Sequence, residues 1–161
     1  MLRPRFPLEQ GSRRARWSTG RVDRLDDAPG RRYGSRVIRA LHHLQLAMPA
    51  GGEDVAQAFY EGVLGIPRVG KPPNLERRGG CWFRSATVEV HLGVEAPFAP
   101  ARKAHPAFLV DDLAGLRERL GLAGFEVVDD EPLVGYERFY TSDPFGNRIE
   151  LLSPLDPRKG A

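Results

Sequence analysis

His43-Leu44-Gln45-Leu46-Ala47-Met48 and His105-Pro106-Ala107-Phe108-Leu109-Val110 are two copies of one local pattern. Each opens on a histidine and reaches its last apolar residue five positions later. Acidic residues follow, then an apolar stripe at helical spacing, a glycine, and further strand-like runs. The first copy closes on Val90-His91-Leu92 and the second on Ile149-Glu150-Leu151. His43 and His91 are 48 residues apart, and His105 and Glu150 are 45 apart. A repeat that returns a His or Glu to matching strand positions is hard to obtain from packing needs alone. It implies one pseudo-symmetric site built from two halves.

Working outward, Leu44, Leu46 and Met48 alternate with His43, Gln45 and Ala47, which predicts a strand over 37–48. Pro49 to Gly52 ends it. Glu53-Asp54 opens a helix with acids at its positive end, and Val55, Ala58, Phe59 and Val63 recur at helical spacing before Gly65. Ile66 to Val69 reads as a short strand and Lys71 to Asn74 as a loop. Cys81 to Arg84 and Thr87 to Leu92 form a hairpin about Ser85-Ala86. Ala96-Pro97-Phe98-Ala99-Pro100 links the copies. The second copy repeats the order. Asp111-Asp112 cap a helix with a Leu113, Leu116, Leu120 stripe, and Phe125 to Val128 is a strand. Arg138 to Thr141 and Asn147 to Leu152 then pair about Asp143-Pro144-Phe145-Gly146, a strong turn signal. The expected fold is α+β, with two tandem β-α-β-β-β modules, 37–95 and 103–155, forming a cupped mixed sheet with helices on the outer face. One module buries too little apolar surface to stand alone.

Charge is unevenly spread. Residues 1–36 carry ten Arg against Glu9, Asp23, Asp26 and Asp27, a net of +6, which leaves −3 for the rest of the chain. That stretch has no apolar periodicity and is expected to be a disordered Arg-rich leader; residues 156–161 form a tail. No aromatic interleaving supports a nucleic-acid arm. No apolar run approaches the roughly 18 residues of a membrane span, and no signal-peptide core is evident. Cys81, the single cysteine, cannot form an internal disulfide and reads as an inert small residue. The expectation is a cytoplasmic protein with a small-molecule partner, no nucleic acid and no membrane.

By period-two alternation His43, His91, His105 and Glu150 all face the cup. Three imidazoles and one carboxylate suit a divalent zinc, iron, manganese, nickel or cobalt ion. Glu150 sits in an apolar strand, where a carboxylate needs a cation or a strong hydrogen-bond set. His42 faces away and reads as a non-ligand, while Glu89 shares the face of His91. Arg138 with Tyr140, and Trp82 with Arg84, share strand faces and are substrate-binding candidates, as is Gln45 beside His43.

The chain resembles the vicinal oxygen chelate superfamily, which holds glyoxalase I, fosfomycin-resistance proteins, extradiol dioxygenases, methylmalonyl-CoA epimerase and bleomycin-resistance proteins. The resemblance spans residues 38–153. It rests on His43-Leu44-Gln45-Leu46-Ala47-Met48, Phe59-Tyr60 with Leu64-Gly65, His91, His105 with Val110-Asp111, and Asp143-Pro144-Phe145-Gly146-Asn147-Arg148-Ile149-Glu150-Leu151. Carried over, it implies metal ligands at His43, His91, His105 and Glu150. Glyoxalase I usually has a carboxylate where this chain has His91, so Glu150 is left as the one ligand with general-base character and the catalytic candidate. The resemblance implies a metal-dependent lyase, isomerase or dioxygenase acting on vicinal oxygens, and a homodimer with sites shared across a two-fold axis. The rival is a non-catalytic, bleomycin-resistance-like binder holding a drug between Trp82, Phe83 and Tyr140. A third reading is a closed structural zinc site.

Overall fold

The computed structural model describes Ile38 and residues 40–155; the expectations for the Arg-rich stretch and for the tail lie outside the described residues. The first module begins with β1 (Leu44–Met48) and α1 (Glu53–Gln57), which continues as a π-helical turn over Ala58–Val63. There follow β2 (Arg68–Val69), a short α2 (Pro73–Glu76) where a loop was expected, β3 (Cys81–Ser85) and β4 (Val88–Val94). The second has β5 (Ala107–Leu109), α3 (Leu113–Leu122), β6 (Tyr136–Ser142) and β7 (Arg148–Pro154).

The α+β class and the repeated order are as the sequence implies. The strands form two sheets, however, in the orders β1-β4-β3-β2 and β5-β7-β6. In each, the first strand of the module lies parallel to the last, which runs antiparallel to the strand before it. β1 and β5 are both edge strands, and no ladder joins them among the described residues. The strand expected over Phe125 to Val128 contracts to one antiparallel bridge, Val128 to Tyr140. Before the bridge the Glu126 carbonyl accepts from the Thr141 hydroxyl instead of a backbone N–H, and after it Pro132 has no N–H to extend a ladder.

The helical stripe of the first module also shifts. Ala56, Phe59, Tyr60 and Val63 are buried, whereas Val55 and Ala58 are exposed. The Leu64 N–H donates to the Phe59 carbonyl five residues back (2.9 Å), and this wider turn rotates the buried face. In α3 the expected Leu113, Leu116 and Leu120 stripe is buried, and the Asp112 carboxylate caps the helix by accepting from the Gly115 N–H (2.9 Å). Gly80, at φ +77°, precedes β3; a Cβ there would lie 2.1 Å from the Leu92 carbonyl oxygen.

One core serves both modules. Phe83, Val90 and Leu92 pack with Phe59 and Tyr60, and Phe139, Ile149 and Leu151 with the leucines of α3, in a single cluster. Phe59 meets Phe125 with ring centroids 4.6 Å apart. The Asp143 turn fastens the halves together. Its carboxylate accepts from the Phe145 and Asn147 N–H groups, from the Asn147 amide and from the Tyr60 hydroxyl (3.0 Å). The Asn147 amide also donates across to the Ala47 carbonyl (2.8 Å). The apolar faces of both sheets are thereby consumed, and the opposite faces, bearing His91 and Glu150, are left to the site. No helix among the described residues is long and apolar enough to cross a membrane.

Candidate metal and substrate site

The ladder registers place the candidate residues in matching rows. Gln45, His91 and Trp82 lie side by side across β1, β4 and β3; Ala107, Glu150 and Tyr140 do so across β5, β7 and β6. Glu150 is therefore the counterpart of His91, and Tyr140 that of Trp82.

In the first row the His91 ring lies between two others. Trp82 stacks on one face (3.9 Å between centroids, 4° between planes) and His43 on the other (4.1 Å, 22°). His91 Nε2 is 2.9 Å from Glu89 Oε1. Burial holds His91 below the ordinary imidazole range, against the opposing pull of Glu89. The neutral ring thus donates Nε2–H to Glu89 and keeps its lone pair on Nδ1. The Arg84 guanidinium grips Glu89 with two nitrogens (2.9 and 3.1 Å), and these bonds, with the one from His91, bring Glu89 down to about 2. His42, expected to face away, has its Nδ1 2.9 Å from that of His43.

In the second row His105 Nδ1 lies 2.8 Å from the Lys103 carbonyl and Nε2 lies 3.2 Å from Glu150 Oε2. The other Glu150 oxygen accepts from Arg138 Nη1 (2.8 Å), and the same nitrogen donates to the Tyr140 hydroxyl (2.6 Å). Burial would raise the Glu150 carboxyl, but the hydrogen bonds from Arg138 and His105 outweigh it and leave it below its usual value. Arg148 lies 3.7 Å over the Tyr140 ring.

A carbonyl can only accept, so His105 carries a proton on Nδ1, while Nε2 faces the Glu150 carboxylate at hydrogen-bond distance. A proton on Nε2 makes this contact a hydrogen bond to the carboxylate, and a metal ion on the Nε2 and Oε2 donors would take that proton's place. Two ligands about 2.1 Å from one ion at right angles stand about 3 Å apart, which matches the pair. A backbone carbonyl on the second ring nitrogen is also how ligating histidines are commonly oriented. On this donor chemistry the second row fits a metal.

The four ligand candidates are nevertheless brought together only as two pairs. Among the described residues no three His, Cys, Asp or Glu side chains converge on a point that would hold an ion within one chain. His43 and His105 do border a common cavity of about 590 Å³, with Gln45 and Glu89 on its wall. Trp82, Arg84, Arg138 and Tyr140 each have a partner within the chain. Phe83, expected beside Trp82 in the drug-binding reading, is on the opposite face, fully buried against Tyr60. The sequence does not reveal the Lys103 carbonyl or the grip of Arg84 on Glu89: a main-chain group has no residue signature, and Arg84 stood out only for sharing a face with Trp82.

The family model of the Glyoxalase/Bleomycin resistance protein/Dioxygenase superfamily matches residues 40–151. The chain belongs to this superfamily. No curated protein matches the sequence. Among solved structures, a glyoxalase-family protein of Bacillus anthracis is 43% identical, with a TM-score of 0.73 over 76% of this chain and 100% of that one. The fosfomycin resistance protein FosX of Listeria monocytogenes is 17% identical (TM-score 0.59; 73% and 95% covered). TnmS3, an antibiotic-binding protein of a Streptomyces species, is 21% identical (TM-score 0.59; 75% and 100% covered). The last two share the fold with this chain.

Proposed function

We propose that this protein is a metal-dependent glyoxalase-like enzyme, a lyase, isomerase or dioxygenase, acting on a small molecule that presents two vicinal oxygens. The observation that carries this reading is the His105–Glu150 pair, an imidazole nitrogen and a carboxylate oxygen 3.2 Å apart, with the other ring nitrogen held by the Lys103 carbonyl. The proposed ligands are His43, His91, His105 and Glu150. A zinc, iron, manganese, nickel or cobalt ion held there supplies Lewis acidity to adjacent substrate oxygens.

The chain's own residues have distinct tasks. The Lys103 carbonyl sets the tautomer of His105. Trp82 and Glu89 fix the plane and the nitrogen of His91. Gln45, on the cavity wall, is placed to hydrogen-bond a bound molecule. Glu150 is also the proposed proton carrier, but its lowered proton affinity makes it a weak base here, so the ligand role is the better supported. Because the donors form two pairs, we propose a homodimer in which each pair is completed by the opposite pair of a second copy. β1 and β5, each an edge strand among the described residues, support this.

Metal analysis of tag-free protein tests the site. Near-stoichiometric metal is expected, with loss in His43→Ala and in Glu150→Gln. Undiminished metal in both variants would sink it. A metal-free binding protein is the second reading. It is favoured by the absence of any unsatisfied buried side-chain polar atom among the described residues. Metal-independent capture of an aromatic compound would decide for it.

A further inference from the structure

Arg138 stands where a metal ion's charge would act. Its Nη1 donates to Glu150 Oε1 (2.8 Å) and to the Tyr140 hydroxyl (2.6 Å), while Nε and Nη2 both donate to the Glu131 carbonyl (3.1 and 2.7 Å). The Arg138 side chain is 16% exposed and that of Glu150 9%, so little water screens the pair. The guanidinium is anchored at both ends. It cannot leave Glu150 without also giving up Tyr140 or pivoting about the Glu131 carbonyl.

We infer that Arg138 is the resident counter-cation of Glu150 and competes with the metal for it. This rests on the metal reading above. With Oε1 held by Arg138, Glu150 offers an incoming ion only Oε2, the oxygen that faces His105. A full positive charge then lies one carboxylate away from the ion. Both effects weaken metal binding, and both stabilise the metal-free protein, whose buried carboxylate keeps a partner. Arg84 on Glu89 is no equivalent brake, because Glu89 is not among the proposed ligands.

Zinc titration with a competing chelator, alongside thermal melts with and without zinc, tests the inference. Arg138→Gln is expected to bind zinc at least about tenfold more tightly than the wild type, since a nearby positive charge is removed. Its metal-free form should melt lower, and its gain in Tm on adding zinc should exceed that of the wild type. Arg138→Lys keeps the charge but cannot span Glu150 and Glu131 at once, and it should fall between the two. In a Glu150→Gln background, Arg138→Gln should leave zinc affinity unchanged. Equal or weaker zinc binding by Arg138→Gln, with a wild type that binds zinc, overturns the competition and leaves the metal site standing. Failure of the wild type and of both single variants to bind zinc overturns the metal reading and this inference together.

Discussion

Tyr60 points its hydroxyl into the core and donates it to Asp143. Its ionisation is pushed well above the ordinary tyrosine range, first by burial and then by the carboxylate beside it. The sign follows directly. Below a pH of about 10 the residue is protonated folded and unfolded, and its contribution is complete. As pH rises past that value the unfolded chain ionises while the folded one does not, so stability is lost. Tyr60→Phe should cost about 1 kcal/mol at pH ~8. By pH ~11 urea denaturation should show the gap from wild type narrowed or closed. A gap that widens would mean that the hydroxyl ionises in the fold. The site residues were legible at this scale because alternation along a strand assigns faces. The apolar neighbours of His91 and Glu150 lie in the core, so alternation turns both side chains to the opposite sheet face, whereas the ring stack over His91 depends on strands far apart in sequence.

Elements carry their own tests. Gly80 enters β3 with a positive φ and with the Leu92 carbonyl where a side chain would be. Neither conflict can relax, since one is backbone geometry and the other a ladder carbonyl. Gly80→Ala should lower stability by at least about 2–3 kcal/mol in equilibrium unfolding; a cost under about 0.5 kcal/mol would show that the turn rearranges. For α3, Asp112→Ala removes the cap on Gly115 and should cost about 1 kcal/mol. The helix and hairpins of the second module were legible from capping acids, leucine spacing and turn residues. The π-helical turn was not, because its wider register follows from seating both Phe59 and Tyr60 in one core. The lost strand over Phe125 to Val128 is a tertiary effect as well: its residues suit a strand, but the Glu126 carbonyl is taken by the Thr141 hydroxyl in place of a backbone partner, and Val128 alone of the four forms a bridge.

The strand ladders lie within the modules, and side-chain contacts across the repeat join the two halves. Phe59 on Phe125, Tyr60 on Asp143 and Asn147 on the Ala47 carbonyl all cross the repeat. A fragment of residues 40–95 should therefore remain unfolded by circular dichroism, having left half its core behind. Independent folding of that fragment would contradict a shared core. The proposed sharing of sites between chains has a direct test at this scale. His43→Ala and His105→Ala proteins, each metal-poor alone, are mixed and refolded together. Random pairing of two chains leaves one intact site in each mixed dimer, so about a quarter of wild-type metal should return. No recovery would place the site within one chain.

Local periodicity and turn chemistry were enough for the repeat, the order of most elements and the alternation of apolar and polar strand faces around His91 and Glu150, while the motif residues carried the resemblance to the superfamily. The separation of the strands into two sheets and the gathering of the four ligand candidates as two pairs came from the packing of the folded chain. That packing also decided that Arg138 and Arg84 are held by carboxylates of the chain. Those outcomes depend on how far-apart segments meet, and on charges whose partners are chosen by burial rather than by spacing.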